Sequence, residues 1–204
     1  LSLCTAVSAQ DSAALWLPSY FSDHMVLQRD TTYLWGTSKP HQQIAISLAG
    51  KTTQVQSDAS GKWHKEWIGL EAGGPYNLMI ASQKDSLSFQ DVLIGDVWVA
   101  SGQSNMNWAP KDGILGWEEE KKLAIYPQLR LFKINLNPQA TPQVEARDTT
   151  WKTCSPENLH DFSAVAYFFG KFTQLEEGVP IGLINPSYGG SHIEPWMSPA
   201  SLKA

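Results

Sequence analysis

A nearly continuous apolar run at residues 92–100 divides this chain of 204 residues into two parts with different hydrophobic patterns. Such a run is typical of a strand buried on both faces of a parallel sheet. Two more apolar runs follow, at residues 129–134 and 179–184. The segments between the three runs have helical spacing near residues 116–125 and 162–175. Strands that alternate with helices predict a layered α/β domain with a parallel sheet.

The part of the chain before this run has a different pattern, in which short alternating or apolar stretches recur between turn-forming residues. Strands are predicted at residues 25–27, 32–35, 43–48, 52–55, 62–67, 76–80 and 86–89. Their regular recurrence, with no helical period between them, predicts a small antiparallel β-sandwich. We therefore expect a lead-in at residues 1–15, a β-sandwich accessory domain at 16–91 and the N-terminal part of an α/β domain at 92–204.

The clearest helix is predicted at residues 162–175, with Asp161 as its N-cap. Gly178 and Pro180 are expected to end it. Its apolar residues recur at helical spacing and are expected to face the core; they are Phe162, Val165, Ala166, Phe169, Phe172 and Leu175. The polar and proline-rich residues 135–156 are expected to form a long excursion on the surface.

Composition excludes several classes of function. The chain has 15 Lys and Arg against 20 Asp and Glu, a formal net charge of −5, so it lacks the basic excess of a nucleic-acid-binding protein. It contains no apolar run of about 18 residues, which excludes a membrane-spanning helix within this sequence. It also has no clustered pattern of His, Cys and Asp ligands, so we expect neither a metal nor a cofactor.

The first nine residues are small and apolar, like the end of a secretory signal with cleavage after Ala9. We therefore expect export to the periplasm or the extracellular space; lipid anchoring through Cys4 is the weaker alternative. After cleavage Cys154 would be the single cysteine, and we expect it to be a buried structural thiol. The chain stops abruptly at both ends, and we expect it to be a piece of a longer protein.

Two loops follow predicted parallel strands and are expected to meet at one rim of the sheet. The first loop is residues 101–106 and the second is residues 185–191. A serine in a tight turn, next to backbone N–H groups, suits acyl transfer, which needs a nucleophile and donors for the oxyanion. Gly189 and Gly190 would let the backbone approach the reacting atom. By itself, either loop is more often only a turn.

The first loop, with the sequence Ser-Gly-Gln-Ser-Asn-Met, resembles the first sequence block of SGNH hydrolases in the sialate O-acetylesterase family. Other segments resemble the same family in the same order along the chain; they are residues 17–29, 95–98, 162–170, 182–184 and 188–198. The resemblance covers nearly all of residues 17–198. It implies an SGNH-type three-layer α/β/α domain, and an esterase that removes O-acetyl groups from sialic acids or related acetylated sugars.

The resemblance also implies roles for individual residues. Ser104 matches the nucleophile, and its N–H matches one oxyanion donor. A second donor matches a glycine of the 189–190 pair, and we favour Gly190 over Gly189. The family's third donor is an Asn of a later block, and its base lies in an Asp-x-x-His block near its C-terminus. Neither block occurs in these 204 residues, so we expect this chain alone to have little or no esterase activity.

Residues near the two loops are candidates for substrate binding: Gln103, Asn105, Trp108, His192 and Glu194. For His192 the alternative is a plain surface or packing role, and for Glu194 it is to hold its own loop. Trp108 and Trp196 either line the pocket for the acyl group or sugar or are buried beneath the rim. His24, His41 and His64 are expected to lie away from the rim, while His160 and Asp161 are interpreted as structural.

Four tryptophans of the β-rich part, Trp16, Trp35, Trp63 and Trp67, are interpreted as core aromatics, although a sugar-stacking face is the alternative. Two other functions remain open. One is the deacetylation of plant polysaccharides such as xylan. The other is a noncatalytic carbohydrate-binding protein, in which sugar binding would not depend on Ser104.

Overall fold

The computed structural model describes residues 14–137, 139, 141–146, 149–198 and 200–203. The predictions for the signal sequence and for Cys4 lie outside these residues.

The protein is a mixed α/β structure. Its strands are β1 (Val26–Gln28), β2 (Asp30–Thr37), β3 (Gln43–Leu48), β4 (Lys51–Gln56), β5 (Lys62–Leu70), β6 (Gly73–Ala81), β7 (Ser86–Val99), β8 (Tyr126–Lys133), β9 (Lys152–Cys154) and β10 (Ile181–Asn185). Its α-helices are α1 (Ser104–Asn107), α2 (Trp117–Glu120), α3 (Pro156–Leu159) and α4 (Ala164–Glu177).

Most strands belong to one eight-stranded sheet in the order β4-β3-β6-β7-β10-β8-β9, with β1 added against β7. The half that contains β3, β4 and β6 is antiparallel, whereas β10 pairs in parallel with both β7 and β8. Strands β2 and β5 form a separate antiparallel pair. The predicted parallel sheet and the predicted antiparallel strands are therefore both present, but in one large sheet.

The 14-residue strand β7 joins the two halves of this sheet. Its first part pairs with β6, and Asp96 to Val99 pair with β10. Side chains of its first six residues alternate between exposed and half-buried, whereas Val92 to Gly95 are buried in succession. The prediction of two strands, at 86–89 and 92–100, was therefore wrong. The change of hydrophobic pattern marks a change of neighbours along one strand, not a break in the strand.

A separate β-sandwich domain at residues 16–91 is not confirmed, because one hydrophobic core extends past residue 91. This cluster joins Leu34 of β2 and Ile46 of β3 to Ile94 of β7, and it also includes Phe132 of β8 and Trp151 just before β9. A second cluster lies where α4 packs against β8 and β10, and it includes Tyr167, Leu129 and Leu183.

Helix α4 is present where predicted, but Ser163 is its N-cap, since its side chain accepts a hydrogen bond from the Ala166 N–H at 3.1 Å. Asp161 instead contacts the Lys133 ammonium group at 3.3 Å. The predicted N-cap was therefore wrong. The hydroxyl of Ser163 satisfies one of the free N–H groups of the first helical turn, that of Ala166.

The predicted buried face of α4 was also wrong in part. The face that contacts the sheet contains Ala166, Tyr167 and Gly170, and a methyl group on Gly170 would lie 2.7 Å from a Leu183 methyl carbon. The larger apolar residues lie on the other side and are 44–61% exposed; they are Val165, Phe169, Phe172 and Leu175. Both stripes have helical spacing, and the one that packs closely contains Gly170, whose missing side chain lets the helix approach the sheet.

Two other local predictions need correction. The predicted helix at 116–125 is only the short α2. The expected surface excursion at 135–156 contains strand β9 and ends at the first residue of helix α3, and Trp151 and Cys154 within it are buried. Cys154 is a free, buried thiol, as predicted.

The four tryptophans of the β-rich part divide into two pairs. Trp63 and Trp67 are buried core residues, as interpreted from the sequence, whereas Trp16 and Trp35 are 40% and 41% exposed. In the described residues, no helix is both long enough and apolar enough to cross a bilayer.

Candidate active site

The two loops singled out in the sequence lie at the same rim of the sheet, as predicted. Strands β7 and β10 are parallel neighbours, with Leu183 opposite Trp98 and Ile184 opposite Val99. Because parallel neighbours end at the same edge of a sheet, the turn before α1 and residues 185–191 emerge side by side.

Three hydrogen bonds join the second loop to Ala100 and to the first loop that follows it. The Asn185 side-chain amide donates to the Ala100 carbonyl at 2.8 Å, and the Tyr188 N–H donates to the Gly102 carbonyl at 3.0 Å. Farther out, the Gln103 side-chain amide donates to the Ser191 carbonyl. The bonds run along the whole length of the second loop, so each loop fixes the position of the other.

Ser104 is the first residue of α1, and its side chain is exposed at the rim. Gly189 is its neighbour across the loops, since a methyl group added to Gly189 would lie 3.5 Å from the Ser104 Cα. Gly190 has a positive φ of 77°, a conformation that glycine adopts without strain. The serine and the glycine pair thus lie together, and the serine hydroxyl is open to a ligand.

No acid–base partner for Ser104 lies within hydrogen-bonding distance in the described residues. All five histidines of the chain are described, and none bonds to Ser104. His24 contacts the Asp91 carboxylate at 2.6 Å. Asp91 precedes the end of β7 by eight residues, about 26 Å at the usual rise of a strand. This Asp–His pair therefore lies far from the rim, as expected for His24.

The other predicted site residues surround the two loops. Asn105, His192 and Glu194 are exposed. Trp108 is 48% exposed, and its indole N–H donates to the Gly113 carbonyl at 3.3 Å. Trp108 is therefore not buried beneath the rim.

A cavity of about 500 Å³ opens beside the second loop. Tyr188, Ser191 and Trp196 form its wall on the side of the loop. The Trp196 indole donates to the Ser191 hydroxyl at 2.8 Å. On the other side of Trp196 a smaller cleft of about 270 Å³ is lined by Ser101, Gly102, Gln103 and Ile193. Trp196 thus lines both concave surfaces; Ser104 lines neither, although the preceding Gln103 lines the smaller cleft.

The opposite wall of the larger cavity comes from residues that the sequence analysis did not select. Tyr20 and Glu145 line it, although they are 125 positions apart in the sequence. Burial raises the pKa of Tyr20, and the charge of Glu145 raises it further. Asn185 and Ser187, both buried, were also missed; the Ser187 hydroxyl donates to the Asn185 side-chain oxygen at 3.1 Å. No local sequence signal pairs Tyr20 with Glu145, because these two residues meet only through long-range packing.

Comparison with known proteins identifies the family. Residues 94–203, more than half of the chain, match the family described as carbohydrate esterase, sialic acid-specific acetylesterase. The chain is 34% identical to a sialate O-acetylesterase from Pongo abelii, over 91% of this chain and 39% of that protein. It is 29% identical to a sialate O-acetylesterase from Mus musculus, over all of this chain and 41% of that protein.

A solved structure gives the same result. The crystal structure of a carbohydrate acetylesterase from Xanthomonas citri superposes with a TM-score of 0.87 and is 40% identical in sequence, covering 93% of this chain and 44% of that one. The chain therefore spans about two fifths of the length of these relatives. It belongs to the family of carbohydrate esterases described as sialic acid-specific acetylesterases.

Proposed function

We propose that the full-length protein is a serine esterase that hydrolyses O-acetyl esters of sialic acid or related acetylated sugars. The observation that carries this proposal is the exposed Ser104 packed against Gly189, at the rim where β7 and β10 end. A hydroxyl at such a rim, beside backbone free of side chains, is the arrangement that acyl transfer requires. Membership of the acetylesterase family supports the same reaction.

In the proposed reaction the Ser104 oxygen attacks the carbonyl carbon of the acetyl group while a base removes the hydroxyl proton. The N–H groups of Ser104 and Gly190, or of Gly189, hydrogen-bond to the oxyanion of the tetrahedral intermediate. The intermediate breaks down to acetyl-Ser104, and the sugar oxygen leaves with the proton from the base. Water then hydrolyses the acetyl-enzyme, which releases acetate and restores the hydroxyl.

The base, its orienting carboxylate and a third oxyanion donor are assigned to the additional length that the relatives have. Two observations support this assignment. The described residues place no histidine or carboxylate in hydrogen-bonding distance of Ser104. The relatives are about two and a half times as long as the part that this chain matches. A serine hydroxyl without a base is a poor nucleophile, so the 204-residue chain alone is expected to be nearly inactive.

The cavity of about 500 Å³ beside the second loop is proposed to hold the sugar. Its volume lies in the range of about 300–1,000 Å³ that is usual for small-molecule sites, and its walls are mainly apolar. Trp196 gives it an aromatic face, and Glu145 gives it an acceptor for sugar hydroxyls. Gln103, Asn105, Trp108, His192 and Glu194 border the loops and are proposed to contact the rest of the substrate.

The finer fold proposal is an SGNH-type three-layer α/β/α domain, preceded by the β-rich part as an accessory β-sandwich. The parallel arrangement of β7, β10 and β8, with α4 packed on one face, supports the three-layer domain. The β2–β5 pair and the antiparallel half of the large sheet support the accessory β-sandwich. Export of the protein stays a prediction from its first nine residues.

The decisive experiment measures acetate release from O-acetylated sialic acid and from O-acetylated xylo-oligosaccharides. The full-length protein is expected to release acetate from at least one of them, whereas its Ser104→Ala variant and the 204-residue chain are expected to be nearly inactive. A fluorophosphonate probe should label the full-length protein but not the variant. Absence of both hydrolysis and labelling in the full-length protein would overturn the proposal and favour a noncatalytic carbohydrate-binding protein.

A further inference from the structure

A second cavity, of about 540 Å³, lies in the β-rich part of the protein. It is built mainly on β2, β4 and β5, none of which carries a residue of the candidate active site. Its lining combines tryptophans with polar side chains, as is usual in ligand-binding sites. The principal lining residues are Trp16, Trp35, Trp63, Asp58, Lys62 and His64.

Two of these tryptophans are exposed and held in position. Trp16 and Thr37 exchange two backbone hydrogen bonds, both of 2.9 Å. The Trp35 ring packs edge-on against Phe21, with 4.8 Å between ring centroids. Large exposed aromatic side chains that are already ordered offer a ligand contact area at little cost in conformational entropy.

Trp63 forms the third aromatic wall and carries an unsatisfied donor. Its side chain is 3% exposed, and its indole nitrogen has no hydrogen-bond acceptor in the described residues. A buried donor without an acceptor is destabilising, because nothing replaces the hydrogen bond that it makes to water in the unfolded chain. Because this nitrogen is inaccessible to solvent, Trp63 offers a ligand the surface of its ring and not its N–H group.

Gly36 brings the aromatic walls together. A methyl group at this position would lie 2.2 Å from the Trp16 carbonyl oxygen and 2.9 Å from the Trp63 ring. Only a residue without a side chain allows this approach. The cavity therefore depends on local backbone geometry in β2.

The polar part of the lining carries one acid and one base, Asp58 and Lys62, beside His64. Hydrogen bonds from the Ser60 hydroxyl and the Lys62 backbone hold the pKa of Asp58 below its ordinary value, so Asp58 is ionised near neutral pH. The opposite charges of Asp58 and Lys62 balance, and the lining favours neither an anion nor a cation.

We infer that this cavity is a second carbohydrate-binding site, which takes a ring of an uncharged oligosaccharide. The apolar face of a pyranose ring packs against Trp16 and Trp35, while its hydroxyl groups bond to the polar side chains of the lining. This binding goes beyond the proposed esterase function, because it requires neither an ester nor Ser104.

The test uses xylohexaose, a neutral oligosaccharide without ester groups, and the full-length protein in isothermal titration calorimetry. The wild type is expected to bind, and Trp35→Ala and Trp16→Ala are each expected to weaken binding about tenfold, as loss of an aromatic contact predicts. Trp98→Ala is the matched control, since Trp98 is 45% exposed but does not line the cavity. Near-ultraviolet circular dichroism verifies that each variant is folded.

A further variant separates this proposal from the esterase. Ser104→Ala is expected to bind xylohexaose with the affinity of the wild type, whether or not the protein hydrolyses acetyl esters. The proposal is overturned if the wild type does not bind xylohexaose, or if the folded Trp16→Ala and Trp35→Ala variants both bind as the wild type does. Loss of binding in Ser104→Ala would place the oligosaccharide at the esterase site instead.

Discussion

Gly189 packs against Ser104, since a methyl group on Gly189 would lie 3.5 Å from the Ser104 Cα. This contact joins loops that are 85 residues apart in the sequence. It exists because β7 and β10 are parallel neighbours that end at one rim.

The contact between Gly189 and Ser104 is expected to be needed for catalysis. In the full-length protein, Gly189→Val is expected to reduce kcat/KM for acetyl-ester hydrolysis about a hundredfold, because the branched side chain displaces Ser104, the proposed nucleophile, or the ester. Gly189→Ala is the smaller control and should lose less activity, since its methyl group makes ordinary van der Waals contact. Steady-state kinetics would contradict the prediction if the two variants were equally active.

Asn185 is expected to hold the two loops in register. Its side chain is 1% exposed and bonds to the Ala100 carbonyl. Asn185→Ala leaves this carbonyl unpaired and should lower the free energy of unfolding by about 1–3 kcal/mol. Urea denaturation measures the change. Asn77→Ala, an exposed site, is the control and should change stability by less than about 0.5 kcal/mol. An equal effect of both variants would refute this role of Asn185.

The pair Asp91–Arg130 is expected to make stability depend on pH. A hydrogen bond from Arg130 is the main cause that lowers the pKa of Asp91, and His24 adds to it, against the opposing effect of burial. A carboxyl with a lowered pKa contributes stability above its unfolded pKa of about 4, and this contribution is lost as the pH falls through its folded value. The free energy of unfolding should therefore fall below about pH 4, and more steeply in the wild type than in Asp91→Asn.

At neutral pH, Asp91→Asn should cost about 3 kcal/mol, because it leaves the Arg130 side chain, 4% exposed, without its charged partner. The control is Glu118→Gln, which removes an exposed ion pair with Lys121 and should have almost no effect. Equal stability of Asp91→Asn and the wild type in chemical denaturation would show that the pair is not stabilising.

Gly95 is expected to be essential for the sheet. At this position β7 changes its neighbours, and a methyl group would lie 1.9 Å from the Pro180 carbonyl oxygen. Gly95→Ala should cost about 3 kcal/mol, since backbone atoms have to move apart. Gly178→Ala is the comparison: its site is open but has a positive φ of 67°, so it should cost only about 1 kcal/mol. Thermal unfolding of both variants tests this order, and a reversed order would contradict it.

Cys154 is expected to be unreactive in the native protein. Burial raises the pKa of its thiol to about 12, so almost no thiolate is present at about pH 8. Iodoacetamide should modify Cys154 only after unfolding in guanidinium, as measured by mass spectrometry of the peptide that contains it. Rapid labelling under native conditions would show that the thiol is accessible.

Much of the fold follows from local sequence patterns. The alternating stretches, the apolar runs and the helix at α4 are present where predicted, because hydrophobic periodicity reflects which side chains are buried. The position of Ser104 after β7, and of the glycine pair after β10, follows from the same patterns together with the family resemblance.

Helix α4 shows where the sequence is ambiguous. One stripe with helical spacing contains Ala166, Tyr167 and Gly170, the other contains Val165, Phe169, Phe172 and Leu175, and the sequence pattern favours the second. The structure buries the stripe of Ala166, Tyr167 and Gly170, because it allows the helix to approach Leu183 and Leu129 closely. Periodicity gives the spacing of a buried face, but complementary shape selects the face.

The sequence by itself determined most of the strands, helix α4, and the positions of Ser104 and the glycine pair in loops that follow strands. Only the tertiary structure decided that one strand joins both halves of the sheet, that Tyr20 and Glu145 share a cavity with Trp196, and that Trp16 and Trp35 are exposed. The physical reason is that local patterns depend on neighbours along the chain, whereas these features depend on packing between distant segments.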